Sequence, residues 1–240
     1  MSPQITQIAQ KAGWAKVDPA YPWQSRTSGL AAIRLKYPPN EWQIVDDRGY
    51  VMPWYADTFL RRLINWDVSG WRVLEIGAGY STLWWASRCR ALVSLEQDPD
   101  WSGPVRDALD SCGLANADLI SIVAGGYVRT IRNLYGSLPF NCVIVDAGDR
   151  IDCLHAAVSL LREGGVLIVD NSEEIEPAEM PSFLKHNERH DFPTTGHPFA
   201  MTTYWIVRQW QAFVGDPNQC RTAAEHPEWL RMAPTGVERP

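Results

Sequence analysis

The run Val73-Leu74-Glu75-Ile76-Gly77-Ala78-Gly79-Tyr80-Ser81-Thr82 constrains this chain more than any other stretch. Trp71 to Ile76 is short and apolar and stops at a glycine, the pattern of a parallel strand covered on both faces. Gly77 and Gly79 allow a tight turn and leave bare peptide N–H groups open to a close approach. Ser81 is expected to N-cap a helix running from Thr82 to Ser87. Ala91 to Glu96 then reads as a second strand that ends on an acid.

That acid lies about 20 residues beyond the first glycine, the spacing that sets a carboxylate beside a ribose in a nucleotide-binding βαβ unit. The glycines alone would need no more than a tight turn. Strand, turn, helix, strand and acid in register favour an adenosine-containing cofactor. A dinucleotide fingerprint asks for a third glycine where Thr82 stands, which counts against NAD.

The remaining elements follow the same alternation. A helix is expected from Trp54 to Asn65, with Phe59, Leu60, Leu63 and Ile64 on its buried face. Asp98-Pro99-Asp100 starts a helix that runs from Trp101 to Cys112. Asp118–Val123 is strand three, followed by Gly125 and Gly126 and a helix over 127–134. Phe140–Asp146 is strand four. Asp149–Arg162 reads as a helix closed by Gly164 and Gly165, and Val166–Asp170 is strand five. A helix over 177–187 precedes strand six near His190, and Met201–Val207 is strand seven. The short Thr195–Pro198 connection makes this last pair antiparallel.

The expected fold is therefore α/β, a doubly wound Rossmann-like seven-stranded sheet. It is mostly parallel with an antiparallel last strand, and carries helices on both faces. In such sheets ligands sit beyond the carboxyl ends of the strands. Glu75 with Gly77, Glu96, Gly125 with Gly126, Asp146, and Asp170 with Asn171 all fall at those ends.

The 240 residues suit one such domain at 53–208, an aromatic arm or cap at 1–52 and a tail at 209–240. A net charge of −6 with no basic stripe argues against a nucleic-acid partner. No run of about 18 apolar residues is present to span a membrane, and Met1–Asp18 has no leader-like pattern. The five scattered cysteines fit reduced thiols, so a cytoplasmic protein is expected. The 12 tryptophans point to an aromatic-rich core or pocket.

Together VLEIGAGYSTLWWA, VSLEQDPDW, VIVDAGDR, GGVLIVDNSEE and the ending HDFPTTGHPFAMTTYWIV resemble the class I S-adenosylmethionine-dependent methyltransferases. The likeness covers Trp54 to Arg208. It implies a methyl transferase acting on a small-molecule acceptor, with O-methylation the expected reaction. A related aminopropyl transferase or NAD-dependent oxidoreductase is the alternative, as is a cofactor-binding module without catalysis. Homo-oligomerisation is left open.

Roles carry over residue by residue. Glu75, Gly77, Gly79 and Ser81 would meet the methionine part of the cofactor, and Glu96 its ribose hydroxyls. Gln97, Gly125 and Gly126 would flank the adenine, with Tyr127 a stacking partner. Asp146 would lie nearest the reacting methyl group. Candidate bases for a hydroxyl acceptor are Asp146, Asp170 and His197. Asp146, Asp170 and Asn171 also resemble the Mg²⁺ ligands of catechol-type O-methyltransferases, hard oxygen donors suited to that ion. Those enzymes carry a lysine base shortly after the first ligand; here Ala147, Gly148, Asp149 and Arg150 follow instead.

Overall fold

Residues on each central strand alternate between two apolar layers, which is what makes the sheet a wall between two cores. The structure, a computed structural model, describes residues 52–134, 139–195 and 197–208, without the side chains of 197–200. The arm, apart from Met52, and the tail lie outside the described residues. So does the expected division into arm, domain and tail.

Seven strands form one sheet: β1 (Arg72–Ile76), β2 (Ala91–Glu96), β3 (Ala117–Ser121), β4 (Phe140–Val145), β5 (Leu161–Asp170), β6 (Glu188–Thr194) and β7 (His197–Val207). Their order is β3-β2-β1-β4-β5-β7-β6. The first five run parallel. β7 is antiparallel to both β5 and β6, as the short hairpin connection requires.

Among the described residues, five α-helices cover the faces: α1 (Asp57–Leu63), α2 (Tyr80–Ala86), α3 (Pro99–Ser111), α4 (Tyr127–Asn133) and α5 (Arg150–Ala157). Val73, Leu92, Ile144 and Ile168 point to the face carrying α1, α2 and α3, where Phe59, Leu83, Trp84, Trp85 and Val105 are buried. Leu74, Val93, Val143 and Leu167 point to the opposite face, against Ile131 of α4 and Leu154 of α5. Trp84, Trp85 and Trp205 are wholly buried, so much of the tryptophan surplus is core. A fully buried side chain of this size contributes about 1.5–3 kcal/mol.

Local chemistry sets the element ends. Asp98 caps α3 by accepting from the Asp100 N–H at 2.9 Å, and Pro99 fills the first helical position. α2 departs from expectation: Gly79, not Ser81, is its N-cap. The Thr82 hydroxyl accepts the Gly79 N–H at 2.9 Å, so the cap is supplied from inside the first turn. The helix expected to end at Arg162 stops at Ala157, and Gly164–Gly165 fall in β5 beside a register shift against β4. The region expected as a helix over 177–187 holds only a 3₁₀ segment, Ser182–His186. The prolines at 177 and 181 cannot supply the N–H groups a longer helix needs.

The rim where β1, β2 and β4 end is unusually tight. The Gly77 N–H donates to the Leu95 carbonyl at 2.9 Å, and the Asp146 N–H donates to the Ile76 carbonyl at 2.8 Å. Gly77 has φ +95°, and a Cβ there would sit 2.0 Å from the Asp146 carbonyl oxygen. Gly148, by contrast, has nothing within 4 Å of its would-be Cβ. Gly77→Ala should therefore lower stability by about 2 kcal/mol or more and the melting temperature by several degrees. Gly148→Ala should leave the calorimetric melt nearly unchanged.

Candidate active site

Because β1 to β5 are parallel, their last residues share one edge of the sheet. Glu75, Glu96, Asp146 and Asp170 are all delivered there. Each is held by a different network, and the networks interlock.

Glu75 is wholly buried beneath the glycine turn. Its Oε2 accepts hydrogen bonds from the hydroxyls of Thr82 and Ser94, each at 2.6 Å. Its Oε1 has no partner among the described residues. The Ser81 hydroxyl also lies beside this carboxylate and helps to hold its charge. Burial pushes the Glu75 carboxyl up to about 7, against the pull of the surrounding hydroxyls. Thr82 thus fills the place of the third glycine with a side chain that ties Gly79 to Glu75.

Glu96 reaches back to the same turn. Its Oε2 accepts from the Ala78 N–H at 2.8 Å, and its Oε1 accepts from the Asp98 N–H at 2.8 Å. It is the β2 acid that locks the glycine turn in place, while retaining acceptor capacity beyond these two bonds and the Tyr127 phenol. Gln97 accepts from the Gly125 N–H at 3.0 Å, which joins the ends of β2 and β3. Gly125 has φ +71°, and a Cβ on Gly126 would meet the Val123 carbonyl oxygen at 2.7 Å. Tyr127 is buried in the core with its phenol beside Glu96, rather than lying open as a stacking platform.

The Trp101 indole N–H donates to the Ala78 carbonyl, and its ring lies 3.5 Å from where a Gly79 Cβ would be. Tyr80 stands edge-on to Trp101 at 6.2 Å, and Trp54 lies 5.9 Å from Tyr80. An aromatic wall therefore flanks the glycine turn. Trp54 is one of two large apolar side chains that remain exposed among the described residues.

On the other side, protein closes around Asp146, yet about a third of its side chain (32 %) stays open to solvent. Burial raises its carboxyl to about 6; Arg150 opposes this, while Glu96 and Glu174 add to it. Asp170 is buried and accepts the Thr202 hydroxyl at 2.5 Å, while Thr202 in turn accepts the Ala56 N–H at 2.9 Å. Burial, then the Asp146 charge, holds Asp170 well above the usual carboxylate range. Asn171 adopts φ 49°, the left-handed region that Asn tolerates better than most residues, where the chain turns off β5. Tyr55 is buried and its hydroxyl accepts the Trp85 indole N–H at 3.2 Å. Burial and the Glu75, Asp146 and Asp170 charges keep this phenol protonated.

Arg150 is the group the sequence reading passed over. Its Nε donates to the Asp170 carbonyl at 2.8 Å, and its Nη2 donates to Asn171 Oδ1 at 2.9 Å. Its Nη1 pairs with Glu174 at 3.0 Å, and Asp146 lies 3.7 Å from Nη2. The i, i+4 spacing of Asp146 and Arg150 was the one available signal. Two of the three side chains expected to hold Mg²⁺, Asp146 and Asn171, thus face a guanidinium, together with the backbone carbonyl of Asp170, whose carboxylate is bonded to Thr202 instead. Among the described residues, no three acidic, histidine or cysteine side chains are grouped to hold a metal ion. As arranged, Arg150 already occupies the Asn171 oxygen and faces Asp146, two of the donors such a cation would need.

His197 opens β7, ahead of the Thr202 that pairs with Asp170, so its backbone extends past this rim. His190 lies on β6, stacks on Tyr204 at 4.5 Å and pairs with Glu188 at 2.7 Å.

No protein-family model matches the sequence, and neither does any curated protein. Solved structures do. A protein of Klebsiella pneumoniae provisionally named an O-methyltransferase is 19% identical, with a TM-score of 0.50 over 87% of this chain and 91% of that one. The chain has the class I methyltransferase fold. An O-methyltransferase of Streptomyces achromogenes in complex with S-adenosylmethionine is 23% identical, with a TM-score of 0.49 over 63% of this chain and 78% of its own. An rRNA methylase of Streptococcus thermophilus is 14% identical, with a TM-score of 0.48 over 59% and 89%. A likeness at such low identity gives the fold and not the substrate. No helix among the described residues is long and apolar enough to cross a membrane.

The raised Glu75 carboxyl has a thermodynamic consequence. A native carboxyl at about 7 binds a proton that the unfolded chain has already released above its ordinary value of 4.5. Its contribution is full below about 4.5 and is lost as pH rises through about 7. Asp146 and Asp170 act in the same direction. Glu75→Gln, which keeps an acceptor for Thr82 and Ser94, should flatten the fall in denaturant-measured stability between these limits. A wild-type slope in the variant would show that Glu75 is not its source.

Proposed function

We propose that the chain is an S-adenosylmethionine-dependent methyltransferase acting on a small molecule, with a hydroxyl oxygen the acceptor. One observation carries this reading: three strand ends from separate parts of the sequence place Glu75, Glu96 and Asp146 around one glycine turn. Glu96 is bonded to that turn directly, and Gly77 touches the Asp146 backbone.

The residues present suit the cofactor. The unpartnered Oε1 of Glu75 is a buried acceptor suited to an ammonium group. Glu96 retains lone pairs for ribose hydroxyls, and Gln97 with Gly125 and Gly126 forms the neighbouring edge for an adenine. When bound, the sulfonium supplies an activated methyl group, and its positive charge suits a rim rich in carboxylates. The protein's part is to align the acceptor and exclude water.

Asp146 is the best-placed base. It is open to the crevice and raised toward neutrality, so it is ionised at neutral pH and still able to take a proton. Asp170, enclosed and bonded to Thr202, is better suited to holding the crevice floor. His197 is kept as an acceptor-side group on its backbone position alone. Two features disfavour the competing readings. Thr82, bonded to Gly79 and Glu75, takes the place of the third dinucleotide glycine. The acidic balance of 28 Asp and Glu against 22 Lys and Arg suits a small acceptor better than RNA.

Titration calorimetry with S-adenosylmethionine, S-adenosylhomocysteine and NAD tests the cofactor. The two sulfur ligands should bind and NAD should not. Glu96→Ala should weaken binding by roughly tenfold or more through loss of charge-assisted bonds to the ribose. Unchanged affinity in that variant would remove the ribose assignment. Labelled methyl turnover over phenols, sugars and amines then separates an enzyme from a cofactor-binding module.

A further inference from the structure

We infer that Arg150 is the built-in cation of this site, its guanidinium held by Asn171, the Asp170 backbone carbonyl and Glu174 beside Asp146, and so standing where a divalent metal bound to Asp146 and Asn171 would lie. The inference stands on side-chain geometry. Asn171 Oδ1, the Asp170 carbonyl and Glu174 each accept one Arg150 N–H, and Asp146 faces the same group. A guanidinium carries five N–H donors in a planar fork, so three carbonyl and carboxylate oxygens can be held at fixed angles at once. The side chain is largely enclosed, at 13 % exposure, and its partners come from β5, the turn after it and the end of β4. It joins the two halves of the acceptor side.

Electrostatics makes the two cations mutually exclusive. Mg²⁺ demands oxygens at about 2.0–2.1 Å in an octahedron, and the Asn171 oxygen here already accepts from Nη2, which stands on the side such an ion would approach. A dication brought in beside Arg150 would be repelled by it and would have to displace it. With Arg150 in place, Asp146 and Glu174 are already neutralised in part, so the gain from binding a metal is reduced. Arg150 is in this sense a positioning residue: it fixes Asn171 in its left-handed turn and sets Asp146 toward the crevice. The expected lysine after Asp146 is absent, and the charge that the chain does supply sits one helical turn on.

The test is an electron paramagnetic resonance titration of the full chain with Mn²⁺ alone, on wild type, Arg150→Gln and Arg150→Lys. Wild type should leave the Mn²⁺ signal free. Arg150→Gln vacates the cation position and leaves the acidic and amide oxygens, so it should gain one bound Mn²⁺ per chain. Arg150→Lys, which keeps the charge, should bind far less. A stoichiometric Mn²⁺ site in wild type would overturn the inference. So would an Arg150→Gln protein that melts like wild type yet gains no Mn²⁺ site. If Arg150→Gln does not fold, the wild-type and Arg150→Lys titrations still decide: Mn²⁺ bound by either one at one per chain counts against it. Affinity for S-adenosylhomocysteine is measured on the same samples. Its absence would sink the methyl-donor reading and leave the cation question to the Mn²⁺ signal.

Discussion

Everything at the rim depends on how closely β1 and β4 approach at Gly77. A side chain there would collide with the Asp146 carbonyl, so the turn exists only because that position has none. The same approach lets the Asp146 N–H reach Ile76 and the Gly77 N–H reach Leu95, which pins three strand ends together. Glu96 then closes the arrangement by binding the Ala78 N–H. Acids that are distant in sequence become neighbours by backbone geometry, before any side-chain attraction is counted.

Those acids would repel one another in a bare crevice. The protein offsets this in two ways. Hydroxyls and backbone N–H groups carry Glu75, Glu96 and Asp170, and Arg150 carries Asp146, Asn171 and Glu174. Burial still wins at Glu75, Asp146 and Asp170, whose carboxyls are all raised. A sulfonium with an ammonium group is a ligand whose charge suits such a site beside Arg150. Perturbed acids grouped in one crevice mark functional sites more often than structural ones.

The fold was legible because it rests on periodicity. Short apolar runs ending in glycine or an acid gave β1, β2, β4 and β5, and the short Thr195–Pro198 connection gave the antiparallel end. What failed were features set by tertiary approach. Ser81 has the right chemistry for a cap, yet Thr82 reaches Gly79 because it also reaches Glu75. The glycines at 164 and 165 suggested a helix stop, whereas they sit in a bulged strand. Arg150 was visible in the sequence but not its direction, since an arginine one turn after a strand end can equally face solvent. The Tyr55 and Trp101 contacts join segments far apart in the chain, and no local pattern announces them.

The central claim is spatial: one adenosyl ligand spans the ends of β1, β2, β3 and β4. A crystal structure of the full chain grown with S-adenosylhomocysteine tests it most directly. The account predicts the ligand lying along the glycine turn, its ribose on Glu96, its adenine beside Gln97 and Gly125, and its sulfur nearest Asp146. Density for the ligand at any other surface would contradict it.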